Sequence, residues 1–310
     1  MGENRFQESG GIRSGNHFPG ISKYQDFLSL IKIGILHSNL ITAFAGMSLA
    51  LFYNGVKPFD YLMRMAGGLA GIWLVIAGSC VLNNYIDRDI DGFMDRTKNR
   101  PTVTGGYPLR VVLFLGWSFL MIGHLILFSL SLLSGIIALF GSFVYVVVYS
   151  LWTKRKSSFN TIIGSFSGAV PPLIGWAVID PDLHRVAWVL FAIMFLWQPP
   201  HFLALAMKKG EEYRKARVPM LPVVHGTRMA KRQILVWIFC LLPLPFLMGE
   251  LGFLFLLFAL LLNGWWLFSG LLRWKEPDGK WASRMFVFSL NYLTFFFTAA
   301  ILFSYFHPGL

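Results

Sequence analysis

The sequence predicts an all-α polytopic membrane protein with nine transmembrane helices, N-terminus inside and C-terminus outside. Three observations carry that reading. Of the 310 residues, 55% are hydrophobic and only 14% are charged, a balance too apolar for a soluble chain of this length. The apolar residues gather into nine stretches at about 29–53, 67–86, 111–132, 135–152, 161–179, 186–206, 233–249, 251–272 and 285–306. Finally, 24 of the 27 Lys and Arg residues fall on one side of the resulting topology. They lie in the leading segment through Lys32 and in segments 87–110, 153–160, 207–232 and 273–284, while only Lys57, Arg64 and Arg185 fall on the other side. Such a skew marks the cytoplasmic side of a membrane protein. Topology therefore accounts for the net charge of +12, and the partner it implies is a lipid bilayer, not a nucleic acid.

Residues 1–27 contain no apolar core for a signal peptide, and Glu3, Glu8 and Asp26 disfavour a mitochondrial transit peptide. Phe6 stands where a myristoylation motif beginning at Gly2 needs Ser or Thr. This segment is expected to be a flexible cytoplasmic tail. No linker divides the remainder, so 28–310 reads as one helical domain. Cys80 and Cys240 both fall within apolar stretches and are expected as free, buried thiols.

The most informative segment is Asn83-Asn84-Tyr85-Ile86-Asp87-Arg88-Asp89-Ile90-Asp91-Gly92-Phe93-Met94-Asp95, joined directly to the end of the second stretch. Asn83, Asp87, Asp91 and Asp95 recur every four residues, which on a helix is one face, rising about 6 Å per step. A solvated helix end would explain acids near water. Here, however, they begin about one turn from the apolar stretch and are followed at once by Arg96, Lys98 and Arg100. A hard divalent cation such as Mg²⁺ is commonly held by one or two carboxylates together with substrate phosphates. A metal and a polyanion would answer both signs of charge.

Farther along, Tyr149-Ser150-Leu151-Trp152-Thr153-Lys154-Arg155-Lys156-Ser157 closes the fourth stretch on the same side. Alone it reads as membrane anchoring; beside the acids, Lys154 and Arg155 gain a role in stabilising a departing diphosphate. The fifth stretch holds Pro171-Pro172 after several glycines, and the sixth holds Trp197-Gln198-Pro199-Pro200-His201-Phe202. Paired prolines free backbone carbonyls that neighbouring protein or a cavity must cover, so helix packing and an internal pocket are both open. His201 is either a hydrogen-bonded packing residue or a substrate contact, intramembrane ionisable groups being functional candidates. The loop after the sixth stretch, Lys208-Lys209-Gly210-Glu211-Glu212-Tyr213-Arg214-Lys215, is acidic and basic like the loop after the second. In a bundle closed into a ring, the two loops would cap one central cavity.

Asn83, Asp87 and Asp91 match the NxxxDxxxD motif of the UbiA superfamily of intramembrane prenyltransferases. Four separated segments, 83–101, 149–176, 197–202 and 218–224, resemble its heme-farnesylating branch, over about residues 23–306. The resemblance implies a UbiA-like prenyltransferase domain of nine helices around a central cavity in the inner membrane of a bacterium, with cytoplasmic active-site loops. It also implies Mg²⁺-dependent transfer of the farnesyl group of farnesyl diphosphate to a vinyl group of heme b, with water addition, giving heme O. By motif position, Asp87, Asp91 and Lys154 are the expected catalytic residues. Asn83, Asp87, Asp91 and Asp95 are the expected metal ligands. Asn83, Asn84, Lys98, Arg100, Tyr149, Arg155, His201 and Glu212 are the expected substrate contacts. A heme A synthase is the candidate protein partner. Two departures stand out: a second DxxxD motif is replaced by Glu211-Glu212-Tyr213, and the family's Lys-Pro near the first helix reads Lys32-Ile33, to which little mechanistic weight attaches. The rivals are an aromatic prenyltransferase of the same fold, and a heme or ion carrier, whose charges would lie at mid-bilayer instead of at the rim.

Overall fold

Helix follows helix from Pro19 to Phe306 because the apolar stretches leave the backbone no partner in a bilayer except itself. A computed structural model describes residues 19–306; the expected flexible tail lies outside these up to residue 18, while its last part, 19–27, is helical instead and opens the first helix, Pro19–Leu30. The helices are α1 (Pro19–Leu30), α2 (Ile33–Tyr53), α3 (Leu62–Asp91), α4 (Pro101–Thr104), α5 (Leu109–Leu130) and α6 (Leu132–Phe143), which continues through a π-helical segment, Val144–Trp152. They continue with α7 (Asn160–Ile179), α8 (Arg185–Lys208), α9 (Gly210–Lys215), α10 (Leu221–Leu241), α11 (Phe253–Leu272) and α12 (Asp278–Phe306). Among the described residues, nine helical segments are long and apolar enough to cross a membrane.

Each span coincides with an apolar stretch of the sequence. The differences lie at the ends: the second span runs from Pro58 to Asp91, beyond its stretch on both sides, and the seventh begins at Leu221. There Gly226, at φ 81°, breaks α10 near its start. Lys231 is 5% exposed, which is tolerable because Asp278 stands 2.7 Å from its ammonium and the rings of Trp274 and Trp281 flank it.

The spans close into a ring in chain order, α2 against α3 and finally α12 back against α2. Inside the ring α2 and α7 pack closely. Lipid tails are as apolar as leucine, so close backbone approach and dispersion hold membrane helices together in place of the hydrophobic effect. Gly46 and Gly175 show how close: a Cβ on Gly46 would stand 2.0 Å from the Pro172 carbonyl oxygen, and one on Gly175 would stand 2.0 Å from that of Ala43. Both diprolines are buried within continuous helices, and the backbone around Pro172 is covered by α2. Cys80 is free and buried as expected; Cys240 is free but exposed on the outer surface of α10. An apolar stretch says only that a thiol is in the membrane, not whether it faces protein or lipid.

Candidate active site

Asn83, Asp87 and Asp91 share one face of the last two turns of α3 and are at most 2% exposed. The carboxylates of Asp87, Asp89 and Asp91 sit at the helix C-terminus, where the macrodipole disfavours negative charge. Cations from other segments offset that local cost. Lys154 pairs with Asp87 Oδ2, and Arg100 Nη1 stands 2.6 Å from Asp91 Oδ2. Lys32 Nζ donates to Asn83 Oδ1, whose Nδ2 donates to Ser150 Oγ at 2.8 Å.

The π-helical segment aims the fourth span at this face. Its run of valines and tyrosines crowds an α-helical turn. Ser150 Oγ and Thr153 Oγ1 each donate to a carbonyl five residues back, Tyr145 O at 2.7 Å and Val148 O at 2.9 Å, which stabilises the wider turn. Ser150 thereby meets Asn83, and Lys154 emerges beneath Asp87. Tyr149 stacks on Tyr145, centroids 5.9 Å apart, and Lys154 Nζ lies 5.9 Å from the Tyr149 ring.

Lys32 is a residue that the sequence reading named without giving it a role. It adopts left-handed backbone, φ 53° and ψ 58°, uncommon for a residue with a side chain, and so separates α1 from α2 and turns its ammonium inward. Burial, with Arg100 close by, pulls the ammonium down to about 8. Its sequence signals were a lone cation at the mouth of an apolar stretch and the family's Lys-Pro position, to which little mechanistic weight was attached. Ser150 was likewise given no role, because nothing local in the sequence announces a π turn.

Four expected positions, Asp95, Lys98, Asn84 and Arg155, stand apart from this cluster. The four-residue period ends with α3 at Asp91, so Asp95 lies beyond the helix, 75% exposed, paired with Lys98 at 2.7 Å on the surface. Asn84 is fully buried but turned toward α1, donating to Leu30 O at 2.7 Å; adjacent helical residues point about 100° apart, so Asn83 and Asn84 cannot share a face. Arg155 forks onto Asp89 at 2.6 and 2.7 Å and onto Ile86 O at 2.8 Å. It clamps the loop to the outer side of α3, because Asp89 lies two residues from Asp87 and faces away from it.

The two acidic loops do meet. Ile90 and Met94 pack in one cluster with Ala206, Tyr213, Ala216, Val218 and Met220. Beside them, Glu212 pairs with Lys209 at 2.6 Å and lines a recess of about 260 Å³ with Lys208, Glu211 and Arg214. His201 lies in α8, its Nδ1 2.8 Å from Ser289 Oγ.

The donor set suits a hard cation. Asp87 Oδ1 is buried and has no hydrogen-bond partner among the described residues, an oxygen left over after Lys154 has taken the other. Among those residues no three His, Cys, Asp or Glu side chains stand together as an ion site, so a cation at Asp87 and Asp91 would complete its coordination from a substrate anion.

A helical membrane bundle that buries paired carboxylates among Lys32, Arg100 and Lys154 at one rim defines an intramembrane enzyme for an anionic, lipid-tailed substrate. Residues 39–298 match the model of the UbiA prenyltransferase family. The chain belongs to that family. Protoheme IX farnesyltransferases of Bacillus thuringiensis (strain Al Hakam) and Bacillus mycoides (strain KBAB4) are each 52% identical to it over 290 residues, 93% of this chain and 94% of theirs. Solved structures share the fold at lower identity. One, of digeranylgeranylglyceryl phosphate synthase, superposes with TM-score 0.70 at 18% identity, covering 91% of this chain and 99% of that one. Another, a UbiA homologue from Archaeoglobus fulgidus bound to DMAPP and Mg²⁺, gives 0.63 at 15%, covering 89% and 99%.

Proposed function

We propose that this protein transfers the farnesyl group of farnesyl diphosphate to a vinyl group of heme b, with addition of water, giving heme O and diphosphate. The observation that carries the prenyl-donor half is the buried Asp87–Asp91 face with its unpartnered oxygen and its three cations. The acceptor half is supported by the relatives of 52% identity. Asp87 and Asp91, with Asn83 beside them, would hold Mg²⁺, whose chemistry is to draw charge from the allylic C–O bond. Lys32, Arg100 and Lys154 bind the diphosphate and stabilise the electron pair it takes as that bond breaks. Ser150 and Lys32 fix the Asn83 amide from both sides. The vinyl π electrons then form the new C–C bond to the allylic carbon. Water adds to the porphyrin-side cation and loses a proton, so no protein nucleophile is consumed.

In this reading the Lys- and Arg-rich rim faces the cytoplasm of a bacterium whose inner membrane holds the bundle, and the soluble diphosphate headgroup enters from that side. A heme A synthase, as consumer of heme O, is the protein partner to test for. Purified protein incubated with heme b, farnesyl diphosphate and Mg²⁺ should yield a more hydrophobic heme on chromatography, and EDTA should suppress it. Absence of that heme refutes the reading; a prenylated quinone formed in its place moves the protein to another acceptor class.

A further inference from the structure

His201 is an ionisable side chain within α8, a span of the bundle, where such groups are costly, and its surroundings fix its chemistry. Ser289 Oγ donates its one hydrogen to Phe286 O at 2.6 Å. With that hydrogen on the carbonyl, the hydroxyl accepts from His201 Nδ1, 2.8 Å away. The tautomer that matches this arrangement has its proton on Nδ1 and presents the lone pair of Nε2, which has no hydrogen-bond partner among the described residues. The ring is also held in direction: Trp197 stacks on one side at 4.9 Å, Phe286 lies at 4.8 Å, and Trp197 Nε1 donates to Ser289 O at 2.7 Å. A neutral imidazole with one nitrogen tied down and the other left without a partner is how proteins prepare a metal ligand.

The metal it suits is one that brings its other ligands with it, because the described residues place no set of further ligating side chains around His201. An iron porphyrin is such a metal, commonly bound by a single protein histidine. The position also fits. Ala206 of α8 and Ile90 of α3 belong to the same apolar cluster at the basic rim. His201 is five residues before Ala206, about 7 Å farther into the membrane along its helix, and Asp87 is three residues before Ile90, about 4–5 Å in. Lys208 Nζ, 4.9 Å from the Phe286 ring, supplies a cation at the rim for a porphyrin carboxylate.

Resting on the heme-acceptor reading above, we propose that His201 Nε2 is the axial ligand of the acceptor's iron, and that Ser289 is a positioning residue that fixes the ring for it. Ligation would tether the porphyrin by its centre and restrict which vinyl edge reaches the allylic carbon.

Wild-type protein titrated with heme b in the absence of farnesyl diphosphate should show histidine-ligated heme by absorption and, in the ferrous form, an iron–histidine band by resonance Raman. His201→Gln removes the imidazole and should lose that band; His201→Gly should lose it and regain a ligated spectrum when imidazole is added. Ser289→Ala should weaken heme binding about 10- to 100-fold while leaving KM for farnesyl diphosphate unchanged. A wild-type protein that makes farnesylated heme but shows no histidine ligation overturns this proposal and leaves the proposed function standing, as does a His201→Gln variant with an unaltered heme spectrum. A wild-type protein that makes no farnesylated heme overturns the reading on which the proposal rests.

Discussion

Asp87→Asn separates the two roles assigned to Asp87, ion-pair partner and metal ligand. Its side chain is 1% exposed and that of Lys154 is 14% exposed, so the substitution leaves the Lys154 ammonium buried with only a neutral amide for company. Breaking a buried pair by removing one member costs about 3–5 kcal/mol, most of it the uncompensated charge left behind. That is roughly two to three and a half powers of ten in the folding equilibrium. Lys154→Met in the same chain removes the stranded charge, and replacing both members of such a pair is often neutral. Resistance to denaturant, read by size-exclusion profile in detergent, should therefore fall in Asp87→Asn and recover in the double variant. Heme-product formation should be lost in both, because neither has the carboxylate for a cation and the double variant also lacks a diphosphate cation. A double variant that regained activity along with stability would mean that Asp87 serves only to neutralise Lys154, and the metal assignment would be wrong.

Other outcomes follow from the same geometry. Gly46→Ala places a methyl 2.0 Å from a backbone oxygen that cannot rotate away, so it should cost about 1–3 kcal/mol or more and reduce the yield of monodisperse protein. Gly34→Ala meets nothing within 4 Å and serves as its control; equal yields would contradict the α2–α7 packing. Arg155→Ala loses a half-exposed pair worth about 0–1 kcal/mol and should leave KM for farnesyl diphosphate within about twofold, whereas Lys154→Ala should raise it at least tenfold. Similar shifts for both would restore Arg155 to the site. Lys32 sets a pH dependence. Its ammonium, at about 8 in the folded protein against 10.5 ordinarily, binds fewer protons folded than unfolded between those values, so its contribution to stability rises with pH across that window. Anion binding moves oppositely: prenyl-diphosphate affinity should weaken as pH rises through about 8, and Lys32→Met should abolish that loss. A wild-type affinity independent of pH from 7 to 9 would remove Lys32 from the diphosphate site.

The bundle was legible in the sequence because hydropathy and charge act over whole helices, and twenty apolar residues with basic flanks have few alternatives in a bilayer. Asn83, Asp87 and Asp91 were legible for a related reason, since their spacing is a property of one helix. What escaped depended on where a helix stops and what faces it. Asp95 satisfied the period but fell beyond the end of α3. Asn84 and Arg155 had the right chemistry and found other partners, Leu30 O and Asp89. Lys32 and Ser150 reach the site through a left-handed residue and a π turn, backbone states that no side-chain pattern advertises.

The pairing of Asp87 with Lys154 and of Asp91 with Arg100 has a consequence for how ligands arrive. Each carboxylate is already claimed by a cation of the chain. A divalent ion entering alone would strand two buried bases, and a diphosphate entering alone would strand two buried acids. Arriving together they would exchange partners, acid to metal and base to phosphate, and no buried group would be stranded. On the proposed function the two ligands would therefore be linked with positive, reciprocal cooperativity: the site would discriminate for the metal–diphosphate complex against either component, and against neutral lipids of similar tail that carry no charge to trade.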